Sequence, residues 1–151
     1  MIKKIVPEML DELTVLFVDT FNAPPWNDMW SIETARARLR DIMRMPNFCG
    51  AVEYRDGNLA GLIMGHGEHS FDGIHFQILE FCVANDMKGQ GIGSQMLKEF
   101  IEFLDRKGVT SVYLLTMKGD ATEDFYAAHG FDTVEDMCVM SRHKLEKAKE
   151  D

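Results

Sequence analysis

Cysteine is scarce in this chain: Cys49, Cys82 and Cys138 are odd in number and far apart. That argues against a disulfide framework or a zinc knuckle and leaves them to be read as small buried apolar residues. No apolar run approaches the roughly 18 residues of a membrane span. The first ten residues, MIKKIVPEML, hold neither a signal-peptide core nor a cleavage site, so a cytoplasmic protein is expected. Positive charge is also short. Sixteen Lys and Arg against 25 Asp and Glu give a formal net charge of -9, which argues against nucleic acid, whose phosphates are met chiefly by lysine and arginine. An acidic field favours a cationic partner, although acidity also serves solubility alone. Repeats and low-complexity blocks are missing too. What is present, 151 residues of which 46% are hydrophobic, can build one core across 1–151 and leaves no room for a second domain.

Hydrophobic periodicity divides the chain into short elements. Met1–Val6 reads as a strand, and Pro7 opens a helix with Met9, Leu10, Leu13, Leu16, Phe17 and Phe21 at helical spacing. Pro24-Pro25 stops that helix, and Ser31 caps a second one that runs to about Met43. Phe48–Tyr54, Leu59–Glu68 and His75–Ala84 read as an antiparallel meander, its first hairpin turning at Arg55-Asp56-Gly57-Asn58. From Ile92 the residues Ile92, Met96, Leu97, Phe100, Ile101, Phe103 and Leu104 fall at helical spacing, and Gly108 stands where the helix should end. Strand Ser111–Met117, helix Ala121–Ala128 and strands Phe131–Val134 and Met137–Lys144 complete the order β-α-α-β-β-β-α-β-α-β-β, with 145–151 as a frayed charged tail. This is an α/β (α+β) domain with a mixed, mostly antiparallel sheet flanked by helices.

The passage from strand to helix at Val83–Leu97, VANDMKGQGIGSQML, is the most informative stretch. Gly89, Gly91 and Gly93 free the backbone to turn its N–H groups together, and the following helix adds its positive end, a setting that suits pyrophosphate. A P-loop would need lysine between Gly93 and Ser94. A dinucleotide fold would place its glycines directly after the strand, where Ala84 to Lys88 intervene. What remains is the pattern Arg/Gln-x-x-Gly-x-Gly/Ala, met here at Lys88, Gly91 and Gly93. It resembles the coenzyme A loop of the GCN5-related N-acetyltransferases, the GNAT family. DATEDFYAAHGF (Asp120–Phe131) is similar to that family's second block, a Phe-Tyr pair followed by Gly-Phe, and NAPPWNDMW (Asn22–Trp30) is similar to a loop of a bacterial small-molecule subgroup. Two residues depart from the pattern: Lys88 stands where arginine or glutamine is usual, and Gly119 where asparagine often stands. Lysine keeps the charge without the guanidinium fork.

The resemblance implies an acetyl-CoA-dependent N-acetyltransferase acting on a primary amine in a ternary complex. The donor would be held by Phe81, Val83, Lys88, Gly89, Gln90, Gly91, Ile92, Gly93, Ser94 and Phe125. An alkylamine with a pKa of about 10.4 needs a base, and Glu80 interrupts the apolar strand Ile78–Val83 where a carboxylate is costly unless paired or set in a cleft. Tyr126, second of the Phe-Tyr pair, is implied as the acid that protonates the leaving thiolate, and a backbone N–H near Val83 as the oxyanion donor. Trp26 and Trp30 are acceptor-loop candidates or core anchors, and His66 and Glu68 are acceptor-site candidates. No metal is expected, since His66-x-x-His69 lacks the helical setting of a zinc protease. His129 is expected to end a helix, and the 11 methionines to fill the core. The acceptor is expected to be a small-molecule amine or a peptide N-terminus, and a homodimer through edge strands near the C-terminus is a family expectation. The alternative is a non-catalytic acyl-CoA sensor or interaction module of the same fold.

Overall fold

In the computed structural model, which describes residues 1–144, Pro7–Met9 form a 3-10 turn that leads into helix α1 (Leu10–Phe21). Its inward face is Leu13, Leu16 and Phe17, as the spacing requires. Helix α2 (Ile32–Met43) begins on a capping box: Ser31 Oγ accepts from the Thr34 N–H at 3.0 Å, and Thr34 Oγ1 accepts from the Ser31 N–H at 3.0 Å. Each satisfies a donor the helix itself cannot, an N-cap being worth about 1 kcal/mol.

Five strands form one sheet in sequence order: β1 (Lys3–Lys4), β2 (Phe48–Arg55), β3 (Asn58–Ser70), β4 (Gly73–Val83) and β5 (Val109–Leu114). The first three pairings are antiparallel, and β4–β5 is parallel because helix α3 (Ile92–Arg106) carries the chain back between them. The β2–β3 hairpin turns through Asp56 and Gly57, both at positive φ, as a two-residue I′ turn demands. Helices α1 and α2 cover one sheet face, where Leu13, Phe17, Leu39 and Ile42 meet Ile5, Val52, Leu62, Met64 and Cys82. Helix α3 covers the other, with Phe100 edge-on to Phe76 at 5.7 Å and Met96 over Gly61. These elements lie in the unit Met1–Thr116.

The second unit begins at Met117 and holds helix α4 (Ala121–Ala127), capped by Asp120, whose Oδ1 accepts from the Ala121 N–H at 2.7 Å. Tyr126 packs edge-on against Phe131 at 5.5 Å, and Gly130 takes the left-handed turn after the helix at φ +87. His129 ends the helix as expected, its Nδ1 2.7 Å from the Phe125 carbonyl.

Several expectations are corrected. Phe131–Val134 and Met137–Lys144 are not strands, so the order among described residues stops at the fifth strand and α4. Their alternation meets no buried face: Val134, Met137, Val139 and Met140 are all exposed, and a hairpin with no apolar face to bury is marginal. The edge strands expected to pair copies are therefore not formed there, and among the described residues the outer strands are β1 and β5. The expected frayed tail 145–151 lies outside the described residues. Of the cysteines only Cys82 is buried; Cys49 is partly covered and Cys138 exposed. Met64 and Met96 fill core as expected, whereas Met29, Met117 and Met140 are exposed.

Candidate active site

Glu80 sits on the α1–α2 face of β4, opposite Met64 in register. One extra residue, Leu79, lies between Glu80 and Ile78 while Met64 and Gly65 run on without a gap, a bulge that turns β4 beside its one acidic side chain. Its side chain is only 13% exposed, and Oε1 accepts a hydrogen bond from Arg38 Nε at 3.1 Å. Burial raises the Glu80 pKa above the usual carboxylate value; Arg38 works the other way, and the charge of Asp28 adds to the rise. Arg38 was missed in the sequence, where it is one of several arginines on α2.

The loop between α1 and α2 is tied down beside this pair. The Asn22 side chain brackets Trp30, accepting from its N–H at 2.9 Å and donating to its carbonyl at 2.8 Å. The Trp30 ring packs on Phe17 at 5.0 Å, and its Nε1 donates to Asp28 Oδ2 at 3.1 Å. Trp30 is thus a core anchor that also aims Asp28. Trp26 does something else: its ring lies edge-on to Phe21 at 5.2 Å and carries the Lys88 ammonium 4.7 Å from its centroid, a cation–π contact between this loop and the glycine loop.

The glycine loop follows a 3-10 turn at Asn85–Met87. Lys88, Gly89, Gln90 and Gly91 are exposed, Ile92 is buried, and Gly93 and Ser94 lie half-buried in the first turn of α3. Gly89 (φ +80) and Gly91 (φ +78) adopt left-handed conformations, and a Cβ on either would meet nothing within 4 Å. The space before them is open. The α3 N-terminus carries no side-chain cap and no acid in its first turn, so its N–H groups and positive end remain for an anion. These features fit a pyrophosphate-bearing ligand.

Phe81 and Val83 alternate onto the opposite face from Glu80 and are half-buried. Parallel pairing joins Ile74–Ile78 of β4 to Val109–Leu114 of β5. Cys82 lies two residues beyond Glu80, buried, its thiol pKa pushed up to about 12 chiefly by burial. His66 and Glu68 lie farther along the Glu80 face of β3, His66 Nε2 3.4 Å from Glu68 Oε1. Phe125 and Tyr126 lie on α4 in the second unit, both half-buried, with rings 5.2 Å apart. Among the described residues no group of three or more His, Cys, Asp or Glu could hold a metal, and no helix is long and apolar enough to cross a membrane.

Residues 10–131 match the family model described as Acetyltransferase (GNAT) family. No curated protein matches the chain. Among solved structures it is similar to a probable acetyltransferase, with TM-score 0.79 and 16% identity over 97% of this chain and 99% of that one. It is also similar to AAC(6')-Iy in complex with a bisubstrate analog, CoA-S-monomethyl-acetylneamine, with TM-score 0.73 and 14% identity over 96% and 98%. A third is an aminoglycoside acetyltransferase from an uncultured soil metagenomic sample, in complex with sisomicin, with TM-score 0.70 and 18% identity over 97% and 96%.

Proposed function

The chain belongs to the GNAT acetyltransferase family, and from that premise we propose that it transfers an acetyl group from acetyl-CoA directly to a primary amine of a small molecule, with both substrates bound at once. Glu80 carries this reading. A carboxylate whose pKa burial raises, held in one orientation by Arg38, is equipped to take a proton from an ammonium group. Direct transfer is favoured over passage through a cysteine, because the thiol nearest Glu80 along the strand is buried and its pKa is pushed up to about 12. The structures solved with sisomicin and with a CoA–acetylneamine analogue support a small-molecule amine as acceptor and CoA as carrier.

Bound acetyl-CoA supplies the acetyl thioester. In this reading Lys88, Gly89, Gln90, Gly91, Ile92, Gly93 and Ser94 hold its phosphates, with Phe81, Val83 and Phe125 as further contacts. Glu80 removes the acceptor's proton, directly or through water, and leaves the nitrogen lone pair free to attack the carbonyl carbon. A backbone N–H near Val83, at the end of β4, is assigned to the oxygen that gains charge. Tyr126 takes the role of proton donor to the departing sulfur on the strength of the Phe-Tyr motif.

The test combines turnover and binding. Glu80→Gln and Tyr126→Phe should each lower kcat by about a hundredfold or more. Both should keep the thermal stabilisation by acetyl-CoA, roughly 2.7 kcal/mol at one hundred times Kd. Wild-type kcat in both variants across pH would overturn the roles. Stabilisation by acetyl-CoA with no turnover of any amine would leave a non-catalytic acyl-CoA sensor.

A further inference from the structure

The sheet face that bears Glu80 changes character along its length. Under α1 and α2 it is apolar, with Val52, Leu62 and Cys82. The next cross-strand row holds Met64 opposite Glu80. Beyond it the face turns polar: His66, Gln77 and Tyr113 stand in register across β3, β4 and β5, and one row farther Glu68 stands opposite His75. Alternation confirms the side, since Gly65, Gly67 and Phe76 between them turn to the α3 face.

These residues form a connected surface. Tyr113 Oη donates to Gln77 Oε1 at 3.4 Å, His66 Nε2 lies 3.4 Å from Glu68 Oε1, and His75 Nε2 lies 2.7 Å from Asp72 Oδ1. The Glu68 side chain is 54% exposed, so one carboxylate already leaning on an imidazole still has room for a partner. The face carries carboxylates, imidazoles, an amide and a phenol, with no lysine or arginine among the residues in these two rows. Along β3, Glu68 is four residues past Met64, the register partner of Glu80, or roughly 13 Å at strand spacing.

We infer that this polar half-face is a second acceptor subsite, which takes the distal cation of a diamine or polyamine: Glu68 pairs with the far ammonium, and Gln77 and Tyr113 hydrogen-bond the chain's polar groups on the way. The inference rests on Glu80 as the base for the near amine and specifies the acceptor of that same site. It selects for length, since a second ammonium too close to the first falls short of Glu68.

The experiment is a series of α,ω-diamines of rising length, each compared with the n-alkyl monoamine of matching length. Expected is a kcat/KM optimum at an intermediate or long diamine, carried by KM. Glu68→Gln should reduce the preference for that diamine over its monoamine by about fivefold, the upper range for a half-exposed ion pair. Tyr113→Phe should leave it unchanged, since a simple diamine has no polar group between its ends, and should weaken use only of a polyamine with an internal secondary amine. Equal use of diamines and monoamines, or an equal loss on both in Glu68→Gln, overturns the subsite. If no amine is turned over, the catalytic reading fails instead. Calorimetric binding of the long diamine to the CoA-loaded chain then decides the subsite by itself: binding weakened by Glu68→Gln supports it, and no binding or unchanged binding overturns it.

Discussion

Glu80 is held by two opposing influences. Burial disfavours its charged form, and the Arg38 guanidinium at 3.1 Å favours it. Because burial wins, the folded chain holds this proton more tightly than the unfolded chain does. Stability from this site is therefore full below the ordinary carboxylate range and is lost as pH rises through the folded pKa. In the proposed reaction activity runs the other way, since a base must be deprotonated. Arg38→Met removes the lowering influence, so the acidic limb of the kcat/KM profile should move to higher pH, while the acetyl-CoA thermal shift persists. A limb that stays in place or moves to lower pH would show that Arg38 does not set the base. Glu80 was legible in the sequence because one acid stands inside Ile78–Val83. Arg38 was not: its contact spans 42 residues, and α2 offers Arg36, Arg38 and Arg40 alike until helix and strand are docked.

At the level of elements, the glycine loop and α3 were the most legible. Left-handed turns need residues without a Cβ, and the apolar spacing from Ile92 to Leu104 fits only a helix. Gly91→Ala tests that economy of parts. The added methyl group meets nothing, so its cost is backbone strain at φ +78, about 1 kcal/mol. The melting temperature should fall by a few degrees, and acetyl-CoA affinity should fall with it. An unchanged affinity would separate the loop from donor binding. The segment 131–144 misled the reading for a related reason: alternation reports a strand only when one side is buried, and the apolar side chains there stay exposed. Likewise the β4 bulge at Leu79 left no mark in composition, because it is a property of two strands in register.

For the molecule as a whole, the net charge of -9 would act on the two proposed substrates with opposite sign. In the proposed reaction a cationic amine is drawn in, and anionic acetyl-CoA approaches against the field and depends on the local positive end of α3. Screening shortens from about 30 Å at 0.01 M salt to about 8 Å at 0.15 M. Rising ionic strength should therefore lower kcat/KM for the amine and raise it for acetyl-CoA; parallel responses would show that net charge does not govern encounter. The fold class was legible because the alternation of helix and strand periods leaves few layered arrangements. The division at Thr116 was not, since no change of composition marks it.

The Lys88 ammonium resting on Trp26 gives the chain an optical property of its own. Only two tryptophans are present, so Trp30→Phe leaves a single emitter, with a charge on its face belonging to the loop proposed to meet the donor. Phosphates that draw Lys88 away should change the emission of that indole, and Lys88→Met should remove the response. No change on CoA addition would mean that Lys88 keeps its place on the ring. A shift that saturates would make the fluorescence of the acceptor loop a label-free gauge of donor occupancy, readable before any acceptor has been found.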